Sequence, residues 1–431
     1  MLFGISPLFA LLPLILYIVL AFKDINPILN VLLCVIITAI LTNKPLLGMG
    51  AVIAESLGSF LSLIGFIILL GSALGAILKK TGVAENIVRG VMKKIGINTE
   101  KKAILSSMVT SMVLTALLGT LAGANAIIAP IVIPLVAAIG ITPSALAVVF
   151  MGAGLTGLFI GPFSPQVVTI MGLTGLSYGQ YLVGAGLPVT VVCLVTTYIM
   201  ANRIQGETKG VYAYENVENI DVDKKSTQEA TRATYAFLIS LTLLIIYGIY
   251  VKSGASYAVV VMFTAAIVTG IAAKLSLNDI FDTLVQGASR MMWLFIMFVL
   301  FNPFITFIEE SGAFKALVDI LEPLLASGNK IVFSLVSTLT GIFGIGGAAV
   351  AQSVVMDKMF KGFVQDLGIS TTLWAMIILI GSQITSFAYP EADMLGQMGL
   401  ARSKDLKNMV KFGVVVVIVN VLLVFVRSFF G

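Results

Sequence analysis

The sequence predicts an all-α polytopic membrane protein made of two inverted repeats, each with five spans (one broken) and a re-entrant hairpin. Three observations predict it. The 431-residue chain is 58% hydrophobic and only 11% charged, and its apolar stretches repeatedly reach the roughly 20 residues that cross a hydrocarbon core. Those stretches are continuous rather than alternating, which argues against a β-barrel. A polar break recurs at the same place in each half: residues 161–166 read Gly-Pro-Phe-Ser-Pro-Gln and residues 386–393 read Ser-Phe-Ala-Tyr-Pro-Glu-Ala-Asp, and both lead into Met-Gly-Leu at 171–173 and 398–400.

The elements follow in order. Spans are expected at 6–22, 25–43 and 51–78. No positive charge precedes the first apolar run and Lys23 follows it, the reverse of a signal peptide, so the first run reads as a retained span. A basic amphipathic stretch, 79–102, comes next. Residues 103–138 are apolar but interrupted at 117–125; each arm is about 15 residues, short for a crossing, which predicts a hairpin with its tip at 119–124. A broken span at 142–175 and a span at 179–202 complete the first repeat, 1–202. The polar segment 203–230 is too short and too polar for a domain and reads as a linker. The second repeat, 231–431, has spans at 231–251, 255–274 and 284–309, a charged amphipathic stretch at 309–330, an interrupted segment at 331–367 with its tip at 341–349, a broken span at 371–401 and a last span at 407–428. Leu-Lys-Lys-Thr-Gly-Val-Ala at 78–84 parallels Ile-Glu-Glu-Ser-Gly-Ala-Phe at 308–314, and Gly-Ile-Thr at 140–142 parallels Gly-Ile-Ser at 368–370.

Five crossings are an odd number, so the second repeat should be inverted. That topology puts about 19 of the 26 lysines and arginines on one face and about 7 on the other, which makes the crowded face and the linker cytoplasmic and both termini external. The expected location is the cytoplasmic membrane. The net charge of +5 follows this topology and implies no nucleic-acid partner; the partners expected are the bilayer and a small molecule or ion.

The candidate chemistry gathers at the hairpin tips and the breaks. Glycines at Gly119, Gly123, Gly344, Gly346 and Gly347 allow close backbone approach. The arms that start near Asn125 and Ala348 aim positive dipole ends at mid-membrane, where Thr120, Asn125, Gln352 and Ser353 can add hydrogen bonds. The first break offers Pro162, Ser164, Pro165 and Gln166; the second offers Gln383, Thr385, Ser386, Tyr389, Pro390, Glu391 and Asp393. Carboxylates in the membrane are functional candidates by default. Broken helices at matching positions of two repeats point to a transporter's binding site. Freed carbonyls with the hydroxyls of Ser164, Thr385 and Ser386 can hold sodium, and Glu391 or Asp393 can carry a proton if desolvation allows. Asp357 is expected to pair locally with Lys358, Glu55 to lie at the interface, and Arg290, inside the span 284–309, to snorkel to the face.

Other chemistries are poorly served. There is no histidine for metal ligation or proton relay, and Cys34 and Cys193 lie in apolar spans as packing residues. No phosphate loop, zinc spacing, hydrolase elbow or nucleophile–base pair appears, so the chain is not expected to be an enzyme. No cofactor is expected beyond sodium or a proton as coupling ion.

Asn26-Pro27, Glu-Ser-Leu-Gly-Ser at 55–59, the stretch 71–85, Ile133-Pro134 and Gly140-Ile141 resemble the ion transporter superfamily, most of all the gluconate:proton symporters and their citrate and sodium/proton antiporter relatives. The resemblance implies an inverted-repeat fold with paired hairpins and a homodimer with a moving transport domain. The first break lacks the histidine of the gluconate symporters' Pro-His-Pro-Gly-Pro element, residues 121–125 lack their acidic Phe-Asp-Val-Gly, and residues 346–349 lack their Gly-Ser-Ala-Thr. A sugar-acid substrate therefore does not carry over. The resulting expectation is a cation-coupled secondary transporter of a small organic anion, such as a carboxylate, or an amino acid, working by an elevator type of alternating access. The alternative is a sodium/proton antiporter with no organic substrate.

Overall fold

The computed structural model describes residues 6–21, 23, 25–215, 226–251, 253–326, 330–344 and 349–430, and all regular structure among them is helical. Seven of the described helices are long and apolar enough to cross a membrane. The chain is an all-α, multi-pass membrane protein.

In the first half, α1 (Leu12–Ala21) and α2 (Pro27–Leu41) form the opening pair, and the Asn26 side chain caps α2 on the amides of Ile28 and Leu29. The span expected at 51–78 is two helices, α3 (Met49–Ser56) and α4 (Phe60–Lys80). Serine chemistry makes this corner: Ser59 caps α4 at the Ser62 amide, and Ser62 Oγ donates to the Ser56 carbonyl at 2.5 Å. Next come the amphipathic α5 (Val83–Ile95), then α6 (Glu100–Leu118) and α7 (Leu121–Ala137), joined by Gly119 and Thr120. The arms are longer than the expected 15 residues, because α6 starts in the charged stretch at Glu100 and α7 starts at Leu121 rather than near Asn125. The broken span is α8 (Pro143–Ile160) and α9 (Pro165–Thr174), and α10 (Tyr178–Tyr181) passes through a π turn (Leu182–Gly186) into α11 (Leu187–Thr208).

The second half runs through α12 (Gln228–Tyr250), α13 (Tyr257–Ala272), α14 (Leu277–Ser289), α15 (Met292–Glu310), α16 (Ala313–Ala326), α17 (Lys330–Ile342) and α18 (Ala349–Asp366). It closes with α19 (Thr371–Gln383), α20 (Thr385–Ala388), α21 (Ala392–Leu400) and α22 (Leu406–Arg427). Arg290 is not inside a span: it is the C-cap of α14, at the corner before α15. The backbone turns into the left-handed region at matching places in the two successions. Asn43 (φ 57°) and Lys274 (63°) follow α2 and α13, Gly82 (75°) and Gly312 (76°) precede α5 and α16, Gly140 (85°) and Gly368 (60°) precede α8 and α19, and Gly175 (71°) and Arg402 (56°) follow α9 and α21.

The helices pack as two groups. One has α8 held between α6 and α11, and α19 held among α17, α18 and α9, with α20, α21 and α22 joining them. The other has α4 and α15 at its centre, flanked by α2, α13 and α14, with α1 and α12 outside. Within the first group α8 is 89% buried over its span, whereas α12 on the outside is 17% buried and shows Tyr235, Ile239, Leu243 and Ile246 to the lipid side. The two helices that lead into the breaks, α8 and α19, are therefore the most enclosed parts of the chain. α5 and α16 sit at the junction: α5 touches α6 and α7 on one side and α4 and α12 on the other, and α16 touches α18 and α15.

Candidate functional site

Each hairpin tip meets the break of its own half. At Gly119, a side-chain carbon would lie 3.4 Å from Pro165 Cδ, 3.6 Å from Ser164 Cα and 3.7 Å from the Phe163 carbonyl. These are ordinary packing distances, and it is the φ of 66° that favours glycine there. In the second half, Tyr389 Oη donates to the Gly344 carbonyl at 3.0 Å, and Thr385 Oγ1 donates to the carbonyls of Gly341 (3.3 Å) and Gly381 (3.2 Å). Gly346 and Gly347 lie outside the described residues.

The two halves are then joined crosswise by buried amides. Gln166, at the start of α9, donates from Nε2 to Ser353 Oγ on α18 and to Ser382 Oγ on α19, both at 2.7 Å. Asn125, on α7, donates from Nδ2 to Gln397 Oε1 on α21 at 2.7 Å and to the Phe150 carbonyl at 2.9 Å, and accepts from Ser111 Oγ at 2.7 Å. Each half-helix after a break thus bonds to the hairpin of the other half. Gln352 closes the network by donating to the Gly381 carbonyl at 2.6 Å, to the Gly341 carbonyl, and to Thr385 Oγ1 at 3.3 Å. Gln166 and Gln352 are almost fully buried, and the amide oxygen of each has no hydrogen-bond donor among the described residues. Buried acceptors without a donor are costly unless water or a cation completes them.

The breaks differ in how they satisfy their backbone. At the end of α8, three carbonyls are answered by side-chain hydroxyls: Ser164 Oγ on Leu158 (2.5 Å), Tyr181 Oη on Phe159 (2.9 Å) and Tyr178 Oη on Ile160 (2.6 Å). The second break has the Thr385 hydroxyl on the Gly381 carbonyl and adds acid. Glu391 is the N-cap of α21 and accepts from the Asp393 amide at 3.2 Å, and Asp393 Oδ2 accepts from Ser386 Oγ at 3.3 Å. Both carboxylates are partly enclosed, and neither forms a salt bridge among the described residues.

The remaining sequence candidates separate. Ser164 bonds within the first break, while Thr385 and Ser386 bond within the second, so their hydrogen bonds do not bring the three oxygens together. Pro162 faces a different cavity, of about 270 Å3, with Phe163, Tyr178 and Tyr257. Gln383 is buried as the last residue of α19 and makes no hydrogen bond within the network. Thr120 and Gly123 line a cavity against α4. Asp357 does not pair with Lys358, which reaches Glu309 at 2.8 Å; the buried Asp357 takes Trp374 Nε1 at 2.9 Å and Lys361 Nζ at 3.3 Å. Helical spacing explains this, since i and i+4 share a face and i and i+1 do not. Sequence reasoning missed Ser111, Ser382 and Gln397. Their one local signal is a polar side chain inside an apolar helix.

Residues 2–201 match the model of a family described as the Na+/H+ antiporter family. The match covers less than half of the chain and is to a sodium/proton antiporter family rather than to the gluconate symporters. No curated protein matches the chain. The crystal structure of the Alcanivorax borkumensis YdaH transporter is similar over 94% of this chain and 99% of that one, at 14% identity and a TM-score of 0.54. Neisseria gonorrhoeae MtrF, described with a class of antimetabolite efflux pumps, aligns over 94% of each chain at 12% identity and a TM-score of 0.47. The likeness to YdaH is one of fold.

Proposed function

We propose that the protein is a cation-coupled secondary transporter of a small organic anion or amino acid, built from two inverted repeats. The observation that carries this reading is the crosswise joining of breaks and hairpins by Gln166 and Asn125. It concentrates opened backbone and unanswered buried acceptors in the most enclosed part of the fold, as expected of a transporter's midplane site. The coupling ion is sodium, with the Gln166 and Gln352 amide oxygens as candidate ligands beside the hydroxyls of Thr385 and Ser386. Sodium asks for oxygen ligands and does not require a carboxylate to hold a proton near neutral pH. The division into two helix groups supports an elevator type of movement, in which one group carries the site past the other.

The test is uptake into proteoliposomes across a panel of carboxylates and amino acids, with an imposed sodium gradient and no pH gradient. Sodium-driven accumulation is expected. Full accumulation driven by a pH gradient in sodium-free buffer would reverse the ion assignment and make Glu391 and Asp393 the proton carriers.

A second reading, sodium/proton antiport without an organic substrate, is favoured by the family match over residues 2–201 and by the carboxylate pair in the second break. Sodium-driven proton efflux from proteoliposomes holding no organic solute, followed with an internal pH dye, would select it.

A further inference from the structure

We propose that the cavity between the first hairpin tip and the α4–α14 wall is an anion site that takes a small carboxylate, with Arg290 and Lys79 as the groups that recognise it. The proposal rests on the reading of an anionic substrate and assigns that substrate's charged end to a place outside the amide network.

The cavity has a volume of about 140 Å3, and Gly71, Gly75, Lys79, Thr120, Gly123 and Arg290 line it. Gly71, Gly75 and Lys79 recur every four residues, so they share one face of α4. Bare backbone at the two glycines lets the tip come close: a side-chain carbon at Gly71 would lie 3.0 Å from the Leu118 carbonyl. Ser72 Oγ donates to the Gly287 carbonyl at 2.7 Å, which pins the last turn of α14 to α4 and sets Arg290, three residues on, at the cavity rim.

Charge identifies the occupant. No acidic residue lines the cavity. The neighbouring Lys80 is already engaged, 3.9 Å from Asp279 and 3.0 Å from Thr283 Oγ1. Lys79 and Arg290 make no ion pair or hydrogen bond among the described residues, and they face the same space. Two like charges that line one cavity with no acidic side chain favour an anion there. The opposite wall is one face of α7, made by Thr120, Gly123, Ala126 and Ile127, where the Thr120 hydroxyl is free of a capping bond and can donate to an anion. A guanidinium presents a fork that matches a carboxylate in two parallel bonds.

The test is thermal unfolding of the purified full-length protein in detergent at constant ionic strength. Succinate, acetate and inorganic phosphate are the anionic probes, and succinamide is the uncharged one. A saturable rise in unfolding temperature is expected with succinate and not with succinamide. Arg290→Gln and Lys79→Gln should each raise the half-saturating concentration about tenfold, the scale of one charge-assisted hydrogen bond. Lys101→Gln, outside the cavity, should leave it unchanged. Arg290→Lys keeps the charge without the fork and should fall between the wild type and Arg290→Gln, which guards against a folding defect in the glutamine variant. An equal shift with succinamide, no saturable shift with any of the three anions, or wild-type affinity in Arg290→Gln would overturn the site. Proteoliposome uptake separates the two readings. Anion uptake that ignores both substitutions removes the cavity and leaves the transporter; a succinate shift abolished by both, with no anion taken up, does the opposite.

Discussion

Gln166 places one amide nitrogen between two serines of the other half and leaves its oxygen without a donor. Gln166→Leu keeps most of the volume and removes both functions. Each lost interhelical hydrogen bond costs only about 0.6 kcal/mol in membrane proteins, so the unfolding temperature should fall by a few degrees at most. Sodium-driven uptake is expected to fall at least about tenfold, the effect of losing one ion ligand; uptake that falls only in step with stability would make Gln166 a packing residue. Glu391 is the second test. Glu391→Gln removes charge with little change in volume and should abolish uptake or uncouple it from the cation gradient, while the protein still inserts and purifies. Wild-type uptake and cation dependence would end a direct role. Both residues were legible in the sequence because a polar side chain beside a proline, inside an apolar run, has few structural reasons to exist. Their partners were not. Gln166 meets Ser382 across 216 positions and Asn125 meets Gln397 across 272, and no local pattern encodes such a pairing.

Among the elements, the first hairpin offers the clearest test. A side-chain carbon at Gly123 would collide with Thr120 Oγ1, in the first turn of α7. Gly123→Val should therefore push Thr120 into the cavity and weaken apparent substrate affinity several-fold, read as a raised KM for uptake. Gly90→Val, on α5 with no atom within 4 Å of the new carbon, should leave KM unchanged. An equal effect of both would move the cause from the site to the helix backbone. The same comparison shows which elements the sequence could reveal. Breaks made by proline and glycine at 161–166 and 386–393 stood out. The corner at 57–59 did not, because serines made it within an apolar run, and neither did the corner at Arg290, because an amphipathic helix and a crossing helix abut there with no proline between them.

For the whole molecule, the division into two helix groups predicts relative movement. Phe60 on α4 and Gly172 on α9 lie across the boundary, with a carbon at Gly172 falling on the Phe60 ring. A disulfide between cysteines placed at both positions should arrest uptake, and a reductant should restore it; full uptake by the cross-linked protein would rule out sliding at this boundary. The topology has its own test: a cysteine at Gly210 should resist impermeant reagents in intact cells, and its labelling would invert the expected orientation. The all-α, multi-pass character was legible because hydrophobicity is summed over many residues, whereas the grouping of helices depends on packing faces that composition does not reveal. The two breaks also differ in what they offer to a passing ion. The first break answers three carbonyls with the hydroxyls of Ser164, Tyr178 and Tyr181, while the second has the Thr385 hydroxyl on the Gly381 carbonyl and adds an acid pair. The two matching places are therefore chemically unequal. Of the two, the second alone carries acid that can exchange a proton or cation with what passes through, so substitutions at the two breaks should not be interchangeable even at matching positions.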